Sequence, residues 1–185
     1  MHVENIQYPT LLSILWPKQH SRNNAIRSTL LVVIGSCFLW LCAKIQVPFY
    51  PVPITMGTFA VLLIGISYGF RLATATLLLY LAEGAIGLPV FAGTPEKGVG
   101  LVYMMGSSGG YLIGYVFAAA ACGWLAERGW DRRFITILVA MLIANIIIYV
   151  PGIYWLGTIH GWHEPILAWG LTPFILGDTI KLLLA

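Results

Sequence analysis

Asp178 and Lys181 stand three residues apart in the apolar stretch LTPFILGDTIKLLLA. On a helix that spacing puts a carboxylate and an ammonium on one face. Such groups can pair with each other, because buried charges need partners. They can also hold a ligand, because ionisable side chains within a membrane segment are functional candidates by default. Thr172 can cap a helix and Pro173 can occupy its first position, so a helix is predicted to start there, at the outer face. The pair then lies a couple of turns below that face. A carboxylate accepting N–H bonds beside an ammonium suits a neutral head group of amide or urea type. Glu83 and Asn145, in two further apolar runs, add polar groups, and Tyr111, Tyr115, Tyr149, Tyr154 and Trp155 carry polar tips on apolar bodies. Together they describe an amphipathic pocket for a small ligand with an apolar middle.

The elements that must position these groups are membrane spans. The chain has 185 residues, of which 59% are hydrophobic and 9% charged, and a mean hydropathy of +0.85, outside the range of soluble globular domains. Apolar runs bounded by charge, proline or glycine cover Ile26 to Ala43, Thr55 to Gly69, Leu72 to Ile86, Gly110 to Leu125, Phe134 to Leu156, and a last segment reaching Ala185. The predicted fold is therefore all-α and polytopic, with about six transmembrane helices. The second and third runs fall short of the ~20 residues of a straight crossing, so they should be tucked among neighbours or extended by their flanks.

Lysine and arginine orient the chain. With a cytoplasmic N-terminus, Lys18, Arg22, Arg27, Arg71, Arg128, Arg132 and Arg133 fall inside and only Lys44 and Lys97 outside, which is the asymmetry that membrane insertion favours. Both termini are then cytoplasmic, and residues 45–54, 87–109 and 157–172 form three outer connections. Residues 1–24 read as a cytoplasmic or interfacial segment, in which Leu11 to Trp16 is too short to span, and residues 25–185 as the membrane domain. The mixed first two dozen residues have the wrong layout for a cleaved signal peptide. A helix begun at Pro173 has 13 residues to Ala185, a rise of ~20 Å against a hydrocarbon core of ~30 Å. The natural protein is thus expected to continue for about two more turns.

The outer connections carry the complexity. QVPFYPVPIT places Pro48, Pro51 and Pro53 around Phe49 and Tyr50, a stiff extended rim. GLPVFAGTPEKGVGLVYMMGSSGG, residues 87–110, is long and glycine-rich. Irregular backbone at membrane depth is tolerated only where protein buries it or where it lines a cavity, so this stretch implies a cavity with Phe91, Tyr103 and Met104 as lid surface. Gly106, Gly110, Gly114, Ala118 and Cys122 follow at four-residue spacing. That ridge of small residues is expected to serve close helix packing, while its upper end, at Gly110, can present backbone amides to a ligand.

Other chemistries fit less well. Gly106-Ser107-Ser108-Gly109-Gly110 matches the G-x-S-G pattern that resembles rhomboid-type intramembrane serine proteases, but a serine nucleophile needs a base within hydrogen-bond reach. The last segment holds no histidine, and His160 and His163 precede it in a loop. Those two histidines with Glu164 make a poor metal site. Cys37, Cys42 and Cys122 lack disulfide or zinc spacing and are expected to be packed thiols. No P-loop is present, so the chain is not expected to hydrolyse ATP. A net charge of +3 is too small to suggest nucleic acid.

PFYPVPITMGTFAVLL, EGAIGLPVFAGTPEKGVGLVYMMGSSGGYLIGY and PFILGDTIKLLLA, in this order, resemble the BioY family, the biotin-specific substrate-binding components of energy-coupling factor transporters. The likeness runs from about Gln46 to Ala185. Where that family commonly has Gly-Pro-Thr-Gly-Gly this chain has Gly-Ser-Ser-Gly-Gly at 106–110, and Lys97 stands where some members have arginine. The resemblance implies a non-enzymatic, multi-pass component of a prokaryotic inner membrane. It implies biotin as the transported ligand, with no cofactor, and a separate coupling protein with ATPase subunits; partner-independent facilitation is the variant reading. The ureido ring is then expected against Asp178 and Lys181, the thiophane ring and tail against Tyr111, Phe91 and Tyr103, and the carboxylate near Lys97.

Overall fold

Lipid cannot satisfy backbone amides, so long apolar runs must close their hydrogen bonds within themselves as helices. The computed structural model describes residues 8–15, 21–175 and 177, and in it the apolar runs are helical. The helices are α1 (Leu11–Leu15), α2 (Ser21–Lys44), α3 (Gly57–Ala85), α4 (Leu101–Met104), α5 (Gly109–Ala126), α6 (Phe134–His160) and α7 (Ile166–Gly170). Among the described residues, α2 from Asn24, α5 and α6 are each long and apolar enough to cross a membrane, and α3 is so only over its full 29 residues.

α3 holds two of the predicted spans. At Gly69 its backbone leaves the helical region, with φ 78° and ψ 173°. A straight helix would separate Gly57 from Tyr80 by ~35 Å, yet both line one cavity. The chain therefore doubles back at Gly69, and the halves 57–68 and 70–85 run antiparallel. The predicted runs Thr55 to Gly69 and Leu72 to Ile86 are thus joined without a loop, because a single glycine makes the whole turn.

α5 occupies the centre, with 61% of its most apolar 18-residue window buried against 33% for α2 and 28% for α6. The stripe of small residues explains how its neighbours come so close. A Cβ at Gly114 would lie 2.8 Å from Ile148 of α6, and a Cβ at Gly65 of α3 would lie 2.6 Å from Cβ of Cys122. The Cys122 thiol, fully buried, points to the Ala140 carbonyl of α6 at 3.8 Å.

The two ends of the bundle differ. At one end the proline-rich connection folds into a minimal hairpin, β1 (Gln46–Val47) antiparallel to β2 (Ile54–Thr55), with Gln46 opposite Thr55. Two strands of two residues are too short for any alternation in the sequence to announce them. Tyr50 at the hairpin tip meets the rings of His160 and Trp169 edge-on at 6.5 and 6.4 Å, which joins this connection to the one after α6. That second connection is shorter than expected, since α6 continues past Pro151 to His160. At the opposite end Tyr8 N donates to Glu127 O at 2.8 Å. Arg132 covers the Tyr8 ring at 4.6 Å, and Arg27 donates to Leu12 O at 3.2 Å. The predicted end of the last helix lies outside the described residues.

Candidate functional site

Loops can stay irregular here because each is anchored to a helix end around a common space. That space is a cavity of about 570 Å³, counted out to its open mouth, between the hairpin, both halves of α3, the 87–109 connection, α5, α6 and Phe174. Five tyrosines reach it: Tyr80, Tyr103, Tyr111, Tyr115 and Tyr149. Phe91 and Phe174 complete an aromatic wall. The lining is that of a small-molecule site, mostly apolar with a few placed polar groups.

The lid is held by aromatic packing. Phe91, fully buried, stacks on Tyr103 at 5.0 Å and 21° and meets Tyr80 edge-on at 5.4 Å. Its ring tip rests on Gly84 of α3, where a Cβ would penetrate the ring. Burial pushes the Tyr103 phenol up, and its hydrogen bond with Ser108 offsets part of that, so the lid offers a neutral hydroxyl at physiological pH. Tyr80 donates to Val90 O at 3.1 Å and Tyr111 to Gly170 O at 2.9 Å. To a ligand these two present a ring face and an acceptor oxygen.

Of the residues singled out in the sequence, the structure brings Phe91, Tyr103, Tyr111, Tyr115 and Tyr149 together on the cavity wall. Lys97, Glu83, Asn145 and Gly110 are not on that wall. Lys97 is exposed on the lid, its stem beside Gly93. Glu83 is turned toward α2, where Ser36 Oγ donates to Glu83 Oε2. Asn145 is buried in α6. Gly110 is closed off by α6, since a Cβ there would run into Pro151 O and Trp155; its small size serves helix contact, and the adjoining turn is tied by Trp155 Nε1 donating to Gly106 O at 2.9 Å. Asp178 and Lys181 lie outside the described residues.

Lys44 is the side chain that sequence reasoning passed over. At the end of α2, its ammonium donates to Phe91 O at 3.1 Å, Thr94 O at 3.2 Å and Thr94 Oγ1 at 2.9 Å. Ser108, the residue of the protease pattern, faces the cavity but bonds to Tyr103. No histidine among the described residues hydrogen-bonds to it; His160 contacts the Leu156 carbonyl instead. The serine-protease reading is not favoured.

A model of the BioY family matches residues 17–185, further toward the N-terminus than the motifs quoted above. The "probable biotin transporter BioY" of Rickettsia prowazekii (strain Madrid E) is 30% identical over 164 residues, 89% of this chain and 82% of that protein. The "biotin transporter BioY" of Thermotoga maritima is 35% identical over 158 residues, 85% of this chain and 86% of its own. Among solved structures, the S-component for biotin from an ECF-type ABC transporter is similar with a TM-score of 0.75 over 90% of each chain, at 24% identity. At that identity the likeness is one of fold.

Proposed function

The chain belongs to the BioY family, and from that premise we propose that it is the biotin-binding membrane component of a vitamin uptake transporter. A separate coupling protein with ATPase subunits supplies the energy, since this chain has no P-loop of its own. The observation that carries the reading is the aromatic cavity beneath the 87–109 connection, at one end of an apolar helical bundle. The protein works in the plasma membrane of a prokaryote, with the cavity facing outward and both termini in the cytoplasm. It performs no catalysis, and biotin is cargo.

Biotin is polar at both ends, with a ureido ring at one and a valerate carboxylate at the other. Each buried end needs a complement, because an unpaired polar group costs ~1 to 3 kcal/mol. Phe174 lines the cavity, and Asp178 and Lys181 follow it at four and seven residues, the spacing of one helical face. We assign the ureido ring to that pair, the thiophane ring and tail to Tyr111, Phe91 and Tyr103, and the carboxylate to the mouth of the lid near Lys97.

Calorimetric titration of the detergent-purified protein with biotin tests the function, and absence of binding by folded protein would sink it. Asp178→Asn removes an ionised acceptor worth ~1.5 to 3 kcal/mol, so affinity should fall at least about tenfold. Lys97→Ala removes a solvent-exposed charge and should cost less, with an effect that shrinks as salt rises. Biotin amide should be nearly blind to Lys97→Ala and as sensitive as biotin to Asp178→Asn. Equal losses of acid and amide on Lys97→Ala, with normal binding by Asp178→Asn, would reject the assignment of ends. Ser108→Ala should bind biotin with at most a few-fold loss, whereas a peptide-cleaving activity that vanished with it would restore the protease reading.

A further inference from the structure

α2 ends on Lys44, and the three protons of its ammonium are all directed at one short piece of the lid. They meet Phe91 O, Thr94 O and Thr94 Oγ1 at 3.1, 3.2 and 2.9 Å. The Thr94 hydroxyl in turn donates to Phe91 O at 2.7 Å, so the segment is folded around the cation. The side chain carried by that segment, Phe91, is part of the cavity wall, and Ala43, next to Lys44, lines the same cavity. One residue thus joins the end of a spanning helix to the backbone that seats the lid's main ring.

The lysine is itself exposed. Water competes for its protons, and the tie can be made and broken without burying or stranding a charge. A fully buried ammonium in the same place would hold the lid permanently, because releasing it would leave an unpaired charge. The lysine also completes the end of α2, where a cation is favoured by the last unpaired carbonyls.

We propose that Lys44 is the latch of the lid: a positioning residue that acts through Phe91, does not touch the ligand, and sets how long the bound ligand stays. The proposal rests on the binding function inferred above. It predicts a kinetic signature, since weakening a latch speeds escape more than it hinders entry.

Lys44→Met keeps the aliphatic stem and removes the donors. Biotin dissociation from the purified variant, followed by stopped-flow tryptophan fluorescence, should be about tenfold faster, with association changed by less than about threefold. Biotin amide should show the same acceleration, and Lys44→Arg should restore at least half of the lost residence time. A larger effect on biotin than on its amide would mean that Lys44 holds the carboxylate directly, and would overturn the latch. So would a lowered thermal midpoint with unchanged dissociation from the folded fraction, which is what a merely structural role predicts. A second arm needs no ligand. Amide hydrogen exchange of residues 90–98 in the ligand-free protein should accelerate in Lys44→Met while that of α5 stays constant; unchanged exchange in the lid refutes the proposal. If wild-type protein fails to bind biotin, the functional reading falls and this arm alone decides the latch.

Discussion

Gly84 sets the depth to which the lid can close. The Phe91 ring occupies the space a Cβ would take, and it is held on its other sides by Tyr80 and Tyr103. Gly84→Ala therefore cannot be relieved by a small rotation. We expect biotin affinity to drop at least about tenfold and stability to fall by ~1 to 3 kcal/mol, as overpacking does, read by calorimetry and thermal unfolding on one sample. Tyr111→Phe acts differently. It removes the donor to a buried carbonyl, Gly170 O, at a cost of ~1 to 2 kcal/mol in stability, while the ring face stays; affinity should change only a few-fold. Phe91 and Tyr103 could be found from the sequence because aromatics stand out in a glycine-rich stretch between apolar runs, and Tyr111 because it puts a polar tip at the start of such a run. Lys44 could not, because its acceptors include main-chain carbonyls 47 and 50 residues away, and no residue type marks a carbonyl that will be turned toward a cation. Glu83 was legible as a polar group within a span but not as the partner of Ser36, 47 residues earlier.

Among the elements, α3 depends on one residue. Gly69 sits at φ 78° and ψ 173°, a region open essentially to glycine alone. The next amide, Phe70 N, donates to Glu127 Oε1 at 3.0 Å, so a carboxylate from the turn after α5 meets the start of the second half where unpaired amides favour it. A Cβ at Gly69 would also stand 2.6 Å from that oxygen. Gly69→Ala should destabilise the protein by ~1 to 3 kcal/mol, and Glu127→Gln by less, in thermal unfolding followed by tryptophan fluorescence. Apolar runs marked both halves of this element to within a few residues. The turn between them is not legible in the composition, because only backbone dihedrals distinguish one glycine turning the chain from several residues doing so.

For the molecule as a whole, the charge asymmetry of the sequence corresponds to a physical separation of ends. Lys44 and Lys97 stand with the lid, whereas Arg27, Arg128 and Arg132 gather with Tyr8 and Glu127 at the opposite end. With the cavity facing out, Lys97→Cys should react with an impermeant maleimide on intact cells, and Arg71→Cys and Arg132→Cys only after permeabilisation; all three positions are exposed, so the inverse pattern would reverse the orientation. The glycine turn of α3 also has a consequence for how such a chain is made. Its halves, residues 57–68 and 70–85, rise only ~18 and ~24 Å, so neither can hold a bilayer of ~30 Å by itself. No loop exists to let one half wait in water while the other is threaded. The pair must leave the insertion machinery together, as one helical hairpin, and half of its most apolar window becomes buried within the protein. Ribosome-bound chains stopped just after Ala85 should therefore remain extractable by carbonate, and those extended through α5 should resist it.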